Sequence, residues 1–168
     1  MKFVLFVFLI FCFGCETKKD NTARETKTEI KRFIIGDVNN DKIQDTAFVR
    51  VINHNSLDQV TIEFSKIIPP LSFESLGVYI QKVDDLNGDN RNEIIIFSRT
   101  HEGWWNEISI WSFYNQKWGK IAKTKAFISE DKDFKNRIIK ENGNYFLIGD
   151  DMWNEDEKGA FLKTKVKI

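Results

Sequence analysis

One nine-residue acidic pattern, met twice between short apolar runs, constrains this chain more than any other feature. Asp37, Asn39, Asp41 and Asp45 share their spacing with Asp85, Asn87, Asp89 and Glu93, and the two copies start 48 residues apart. Each copy leads out of one apolar run and into another. The runs are short, often alternating, and rich in β-branched and aromatic residues, which is strand chemistry rather than helix chemistry. A period of this size predicts repeated units of about four strands.

Strands are expected near residues 31–35, 46–52, 59–64, 78–83, 94–99, 108–114, 118–123, 137–140, 145–148 and 160–166, and no window shows a helical period. Asn142-Gly143 predicts a type I′ hairpin, residues 53–58 predict a second hairpin, and Pro69-Pro70 marks a loop or sheet edge. A third, worn copy of the acidic pattern begins at Asp131, with Lys135 where the third acidic residue should stand. The stretch from Ile148-Gly149-Asp150 to Ala160-Phe161 also mirrors the stretch from Ile35-Gly36-Asp37 to Ala47-Phe48.

Oxygens at positions 1, 3, 5 and 9 of such a loop, with the carbonyl at position 7, can converge on one hard cation. Calcium suits them, because it takes several oxygen ligands at about 2.3–2.6 Å in irregular geometry. The expected ligands are Asp37, Asn39, Asp41, the carbonyl of Ile43 and Asp45 in loop one, and Asp85, Asn87, Asp89, the carbonyl of Arg91 and Glu93 in loop two. The alternative is a pair of Asx-rich turns in which the side chains bond their own backbone and no metal is present. Repetition at a fixed spacing favours the metal.

The segments IIGDVNNDKIQDTAFV and VDDLNGDNRNEIIIF resemble the FG-GAP and VCBS repeats of integrin-like β-propellers. That resemblance implies calcium in the loops between blade strands and a role in extracellular adhesion or glycan-associated binding, seldom catalysis in the repeat itself. Position 6, usually glycine, is Lys42 in one loop and Asn90 in the other. The chain has room for about three blades where a closed propeller needs at least four. The expected fold is therefore all-β: propeller-like repeats of short antiparallel strands, forming an open or partial propeller.

The N-terminus carries a different signal. Lys2 precedes eleven apolar residues, 3–13, and these are followed by Gly14, Cys15 and a polar run. Eleven residues span about half of a 30 Å hydrocarbon core as a helix, which suits a cleavable signal better than a membrane span. Phe13-Gly14-Cys15 resembles the bacterial lipobox, whose cysteine is lipidated and becomes the first residue of the mature protein. The expected organisation is a signal peptide over 1–14, a lipid-anchored linker over 15–28 and one β-repeat domain over 29–168, tethered in the bacterial cell envelope and facing the periplasm or cell surface. Cys12 leaves with the signal, so Cys15 is the sole mature thiol and no internal disulfide is expected. The mature chain loses Lys2 from 25 basic residues and keeps 25 acidic ones, a near-neutral balance that gives no reason to expect nucleic acid.

Among the five tryptophans, Trp104 and Trp105 follow His101-Glu102-Gly103 in an expected loop, and neighbouring residues on a strand face opposite ways, so one of the pair is a candidate ligand-binding aromatic. Trp111 and Trp118 read as core. Trp105 stands where a His-Glu-x-x-His zinc motif needs its second histidine, and His54 falls in an expected turn. No catalytic motif is present. The function expected is a lipid-anchored, calcium-stabilised binding protein with a protein or glycan partner, and the alternative is a lipid-anchored hydrolase or an accessory subunit of an envelope enzyme. Replacing Cys15 with Ala should release the protein from membranes or block its processing. An uncleaved or unlipidated N-terminus in the mass spectrum of the wild-type protein would refute the anchor.

Overall fold

The computed structural model describes residues 28–54, 57–65, 68–127 and 134–168. The expected signal, Cys15, nearly all of the linker, the tip of the 53–58 turn and the Asp131–Asp133 segment lie outside the described residues. Over the described residues the chain is all-β, with three small antiparallel sheets, none of them closed.

The first sheet is a meander of β1 (Thr28–Gly36), β2 (Asp45–His54), β3 (Leu57–Phe64) and β4 (Leu71–Glu74), in that order. The second repeats this arrangement with β5 (Val78–Lys82), β6 (Ile94–Arg99), β7 (Trp105–Tyr114) and β8 (Lys117–Phe127). The third has the order β11-β10-β9, from β9 (Ile138–Glu141), β10 (Asn144–Glu155) and β11 (Phe161–Lys167). A single 3-10 turn at Phe134–Arg137 is the one helical element among the described residues, and none there is long and apolar enough to cross a membrane.

Side-chain alternation decides how the sheets meet. Ile94 and Ile96 of β6 join a core with Ile35, Val49, Ile62 and Ile80, so they face the first sheet. Ile95 and Phe97 join Ile108, Ile110 and Leu147 in a second core, facing the third sheet. The second sheet is therefore covered on both sides, which is why β6 reads as an unbroken apolar run rather than an alternating one. Each such isoleucine taken out of water contributes about 1.5–3 kcal/mol. Trp118 closes one end of the first core, against Phe64 and Phe113, with its indole N–H on the Pro69 carbonyl at 2.9 Å.

Ten strands were expected and eleven form among the described residues. The addition is β4, four residues directly after Pro69-Pro70 and too short to show a period. The hairpin at Asn142-Gly143 has both residues at positive φ, 49° and 79°, as a type I′ turn requires.

The expected likeness between Gly149-Asp150 and Gly36-Asp37 does not hold. Gly36 ends β1 at φ +81°, whereas Gly149 lies inside β10, paired with Thr164, and the strand continues to Glu155. What Gly149 provides is close approach, since a Cβ there would lie 2.7 Å from the Lys125 carbonyl of β8. Gly149→Ala should force the second and third sheets apart and cost about 1–3 kcal/mol in urea unfolding. A loss below about 0.5 kcal/mol would mean that the two sheets slide freely over each other.

Candidate metal centre

Loops one and two connect the first two strands of their sheets and fold alike. In loop one, Asp37 Oδ1 accepts from Asp41 N at 3.1 Å, Asp37 Oδ2 from Lys42 N at 2.7 Å, Asn39 Oδ1 from Asp41 N at 3.0 Å, and Asp41 Oδ1 from Ile43 N at 2.9 Å. In loop two, Asp85 Oδ1 accepts from Asp89 N at 3.1 Å, Asp85 Oδ2 from Asn90 N at 2.8 Å, Asn87 Oδ1 from Asp89 N at 3.0 Å, and Asp89 Oδ1 from Arg91 N at 3.0 Å. Positions 4 and 6 are left-handed in both: Asn40 and Lys42 at φ 62° and 65°, Gly88 and Asn90 at 81° and 65°. Lysine is the least suited of these four to that region, so loop one carries more backbone strain.

The loops differ at position 9. Among the described residues, Asp85, Asp89 and Glu93 form a grouping whose ligand oxygens all lie within 4.8 Å of one another. Asp37, Asp41 and Asp45 form no such grouping. Asp45, one methylene shorter than Glu93, is fully buried, with Oδ2 on Val38 N at 3.1 Å and Oδ1 taking the Ser65 hydroxyl at 3.3 Å. Glu93 is equally buried, with Oε2 on Leu86 N at 2.7 Å and Oε1 on Asn87 Nδ2 at 3.1 Å. Asn87 Nδ2 also reaches Ser112 Oγ at 3.1 Å.

Burial pushes the Glu93 carboxyl up to about 7, and the charges of Asp89 and Asp85 add to the rise. The Leu86 N–H and the Ser112 hydroxyl oppose it. Three converging carboxylates, one of them unable to ionise easily on its own, fit a hard divalent cation, which would supply the missing positive charge. Arg91 fills part of that role: its guanidinium contacts Asp89 Oδ2 at 3.1 Å and lies 5.5 Å from the Tyr114 ring centre. The sequence offered Arg91 only as a carbonyl donor; its side chain competes for Asp89.

Asn92, at position 8, joins the two loops. Its Oδ1 accepts from Asp37 N at 2.9 Å, its own N–H donates to the Asp37 carbonyl at 2.8 Å, and its Nδ2 reaches the Val83 carbonyl at 3.3 Å. Gly36 makes room for it, since a Cβ there would stand 2.8 Å from Asn92 Cγ. Sequence reasoning gave Asn92 no role, because its partner lies in another unit.

Of the two candidate aromatics, Trp104 is 66% exposed in the loop before β7, whereas Trp105 packs edge-on against Phe127 and Phe161. Trp153, which sequence reasoning passed over, is 87% exposed. A groove of about 360 Å³ lies between β4 and the second sheet, with His101, Glu107, Trp111 and Lys120 in its lining. Glu107 is held by Lys120 at 2.6 Å, and Lys120 lies over the Trp111 ring. Comparison of the chain with protein-family models, curated proteins and solved structures gives no match.

In metal-free protein, Glu93 keeps its proton between about pH 4.5 and 7, where the unfolded chain has released it. Folding then takes up a proton, so stability falls as pH rises through that window, by up to about 3 kcal/mol for this group alone. Glu93→Gln should flatten the fall in chelator-treated samples. An unchanged slope would place the titration elsewhere.

Proposed function

We propose that this chain is a lipid-anchored, calcium-stabilised β-repeat binding protein of the bacterial cell envelope. Its three stacked meanders form an open, propeller-like array, and its partner is a protein or glycan. The observation that carries the calcium reading is the convergence of Asp85, Asp89 and Glu93 in a loop, four of whose side-chain-to-backbone bonds recur at the same positions in loop one. Calcium would sit among Asp85, Asn87, Asp89 and Glu93, neutralising carboxylates that otherwise repel one another, and would hold β5 to β6 rather than perform chemistry. An open aromatic at Trp153 supports binding over catalysis, and of the two glutamates lining the groove beside β4, Glu107 is tied to Lys120.

Extracellular calcium modules bind with dissociation constants of about 0.1–1 mM. At about 100 times the dissociation constant the folded state gains about 2.7 kcal/mol, which for a domain of this size raises the melting temperature by about 5–10 °C. Calcium should produce that rise and chelator should reverse it. Loop two closes around glycine and asparagine and gathers its carboxylates, so Asp89→Ala should abolish most of the rise and Asp41→Ala a smaller part. No calcium-dependent shift in the wild-type protein would defeat the proposal, and a larger loss for Asp41→Ala would reverse the ranking.

A further inference from the structure

Trp153 has the highest exposure of any large hydrophobic side chain among the described residues, and the backbone beneath it is built to present it. Pairing of β10 with β11 passes from Asp150↔Lys163 to Glu155↔Phe161, so residues 151–154 stand opposite Leu162 alone. The bulge is held by Asp151, whose Oδ1 accepts from Trp153 N at 2.9 Å and whose Oδ2 accepts from Asn154 Nδ2 at 2.8 Å. Beyond it the hairpin is closed by Asp156, whose Oδ1 accepts from Lys158 N at 2.8 Å and Ala160 N at 2.9 Å. An indole fixed in this way loses little conformational freedom on binding, as interface anchors require.

The charge around it selects the partner. Residues 151–158 carry four carboxylates, Asp151, Glu155, Asp156 and Glu157, against the single ammonium of Lys158. Three nearby cations are engaged elsewhere: Lys163 of β11 and Arg137 of the 3-10 turn with Asp150, and Lys125 of β8 with Glu102. Among the described residues none of the four carboxylates takes part in an ion pair. An acidic partner or an anionic lipid surface is repelled here. A neutral glycan could stack on the indole but would leave the carboxylates without counter-charges.

We infer that the β10–β11 tip is a docking surface for a basic protein segment, which lays an arginine or lysine stem across the Trp153 indole and sets its other cations against Glu155, Asp156 and Glu157. Guanidinium over indole is the most favourable cation–π arrangement, and the flanking carboxylates steer the approach. The inference deepens the binding-protein reading above and is independent of calcium.

The test is calorimetric titration of the full chain with an octapeptide of alternating arginine and glycine, in calcium and again in chelator. Binding with a dissociation constant on the order of 0.1 mM is expected for so small a contact. Trp153→Ala should weaken it about tenfold with no change in melting temperature, Trp153→Phe should keep most of it, and raising salt from about 50 to about 500 mM should weaken it about tenfold. Equal affinity of the wild type and Trp153→Ala, or of a glutamate-for-arginine peptide, overturns the inference. So does binding of a neutral hexasaccharide that depends on Trp153 when the basic peptide fails to bind. Peptide binding that survives chelator while calcium leaves the melting temperature unmoved sinks the calcium reading and leaves this one standing; stabilisation by calcium without peptide binding does the reverse.

Discussion

Two-sided burial of β6 is the constraint from which the other arrangements follow. A strand with Ile94 and Ile96 on one face and Ile95 and Phe97 on the other has no side that tolerates water, so it needs a sheet against each face. Those two sheets are what the flanking meanders supply. The same burial reaches into loop two, because Glu93 directly precedes Ile94 and is drawn below the surface with it. A carboxylate placed there by the packing of its neighbour is desolvated whether or not a cation is present, and its altered acidity is a by-product of the hydrophobic core.

Much of this was legible in the sequence, for local reasons. The alternation of β-branched residues marked ten of eleven strands, and the acidic spacing marked two loops that fold alike down to their left-handed residues. What escaped depends on contacts between units. Asn92 gains its meaning from Asp37, in the loop of a different sheet, and Gly149 gains its own from the β8 backbone across the interface. Trp153 lies in a stretch with no alternation, DDMWNEDE, where a strand continues only because a bulge absorbs the extra residues. Arg91 was legible as a backbone donor to the site but not as a competitor for it, since that depends on the direction its side chain takes.

The third sheet resolves the electrostatic problem of its buried acid in another way. Asp150 is almost fully buried, as Glu93 is, and it is matched by Arg137 at 3.1 Å and by Lys163, and it accepts the Phe127 N–H at 3.0 Å. Its counter-charge is covalently part of the chain. Loop two relies on the guanidinium of Arg91 for one carboxylate and has no such partner for Glu93. A buried acid with an ion-pair partner and, among the described residues, one without such a partner thus lie in neighbouring sheets.

Sheets that do not close leave rims of unpaired backbone, and rims invite other chains to extend them. On the outer rim of the first sheet stands β4, only four residues long and entered directly after Pro69-Pro70, where the missing N–H groups give an incoming strand little to hold. The rim formed by β11 carries Lys163, Lys165 and Lys167 at alternate positions, so a second copy laid edge to edge would bring like charges together. Brevity at β4 and like charges along β11 guard these two rims of an unclosed stack against growth into fibres.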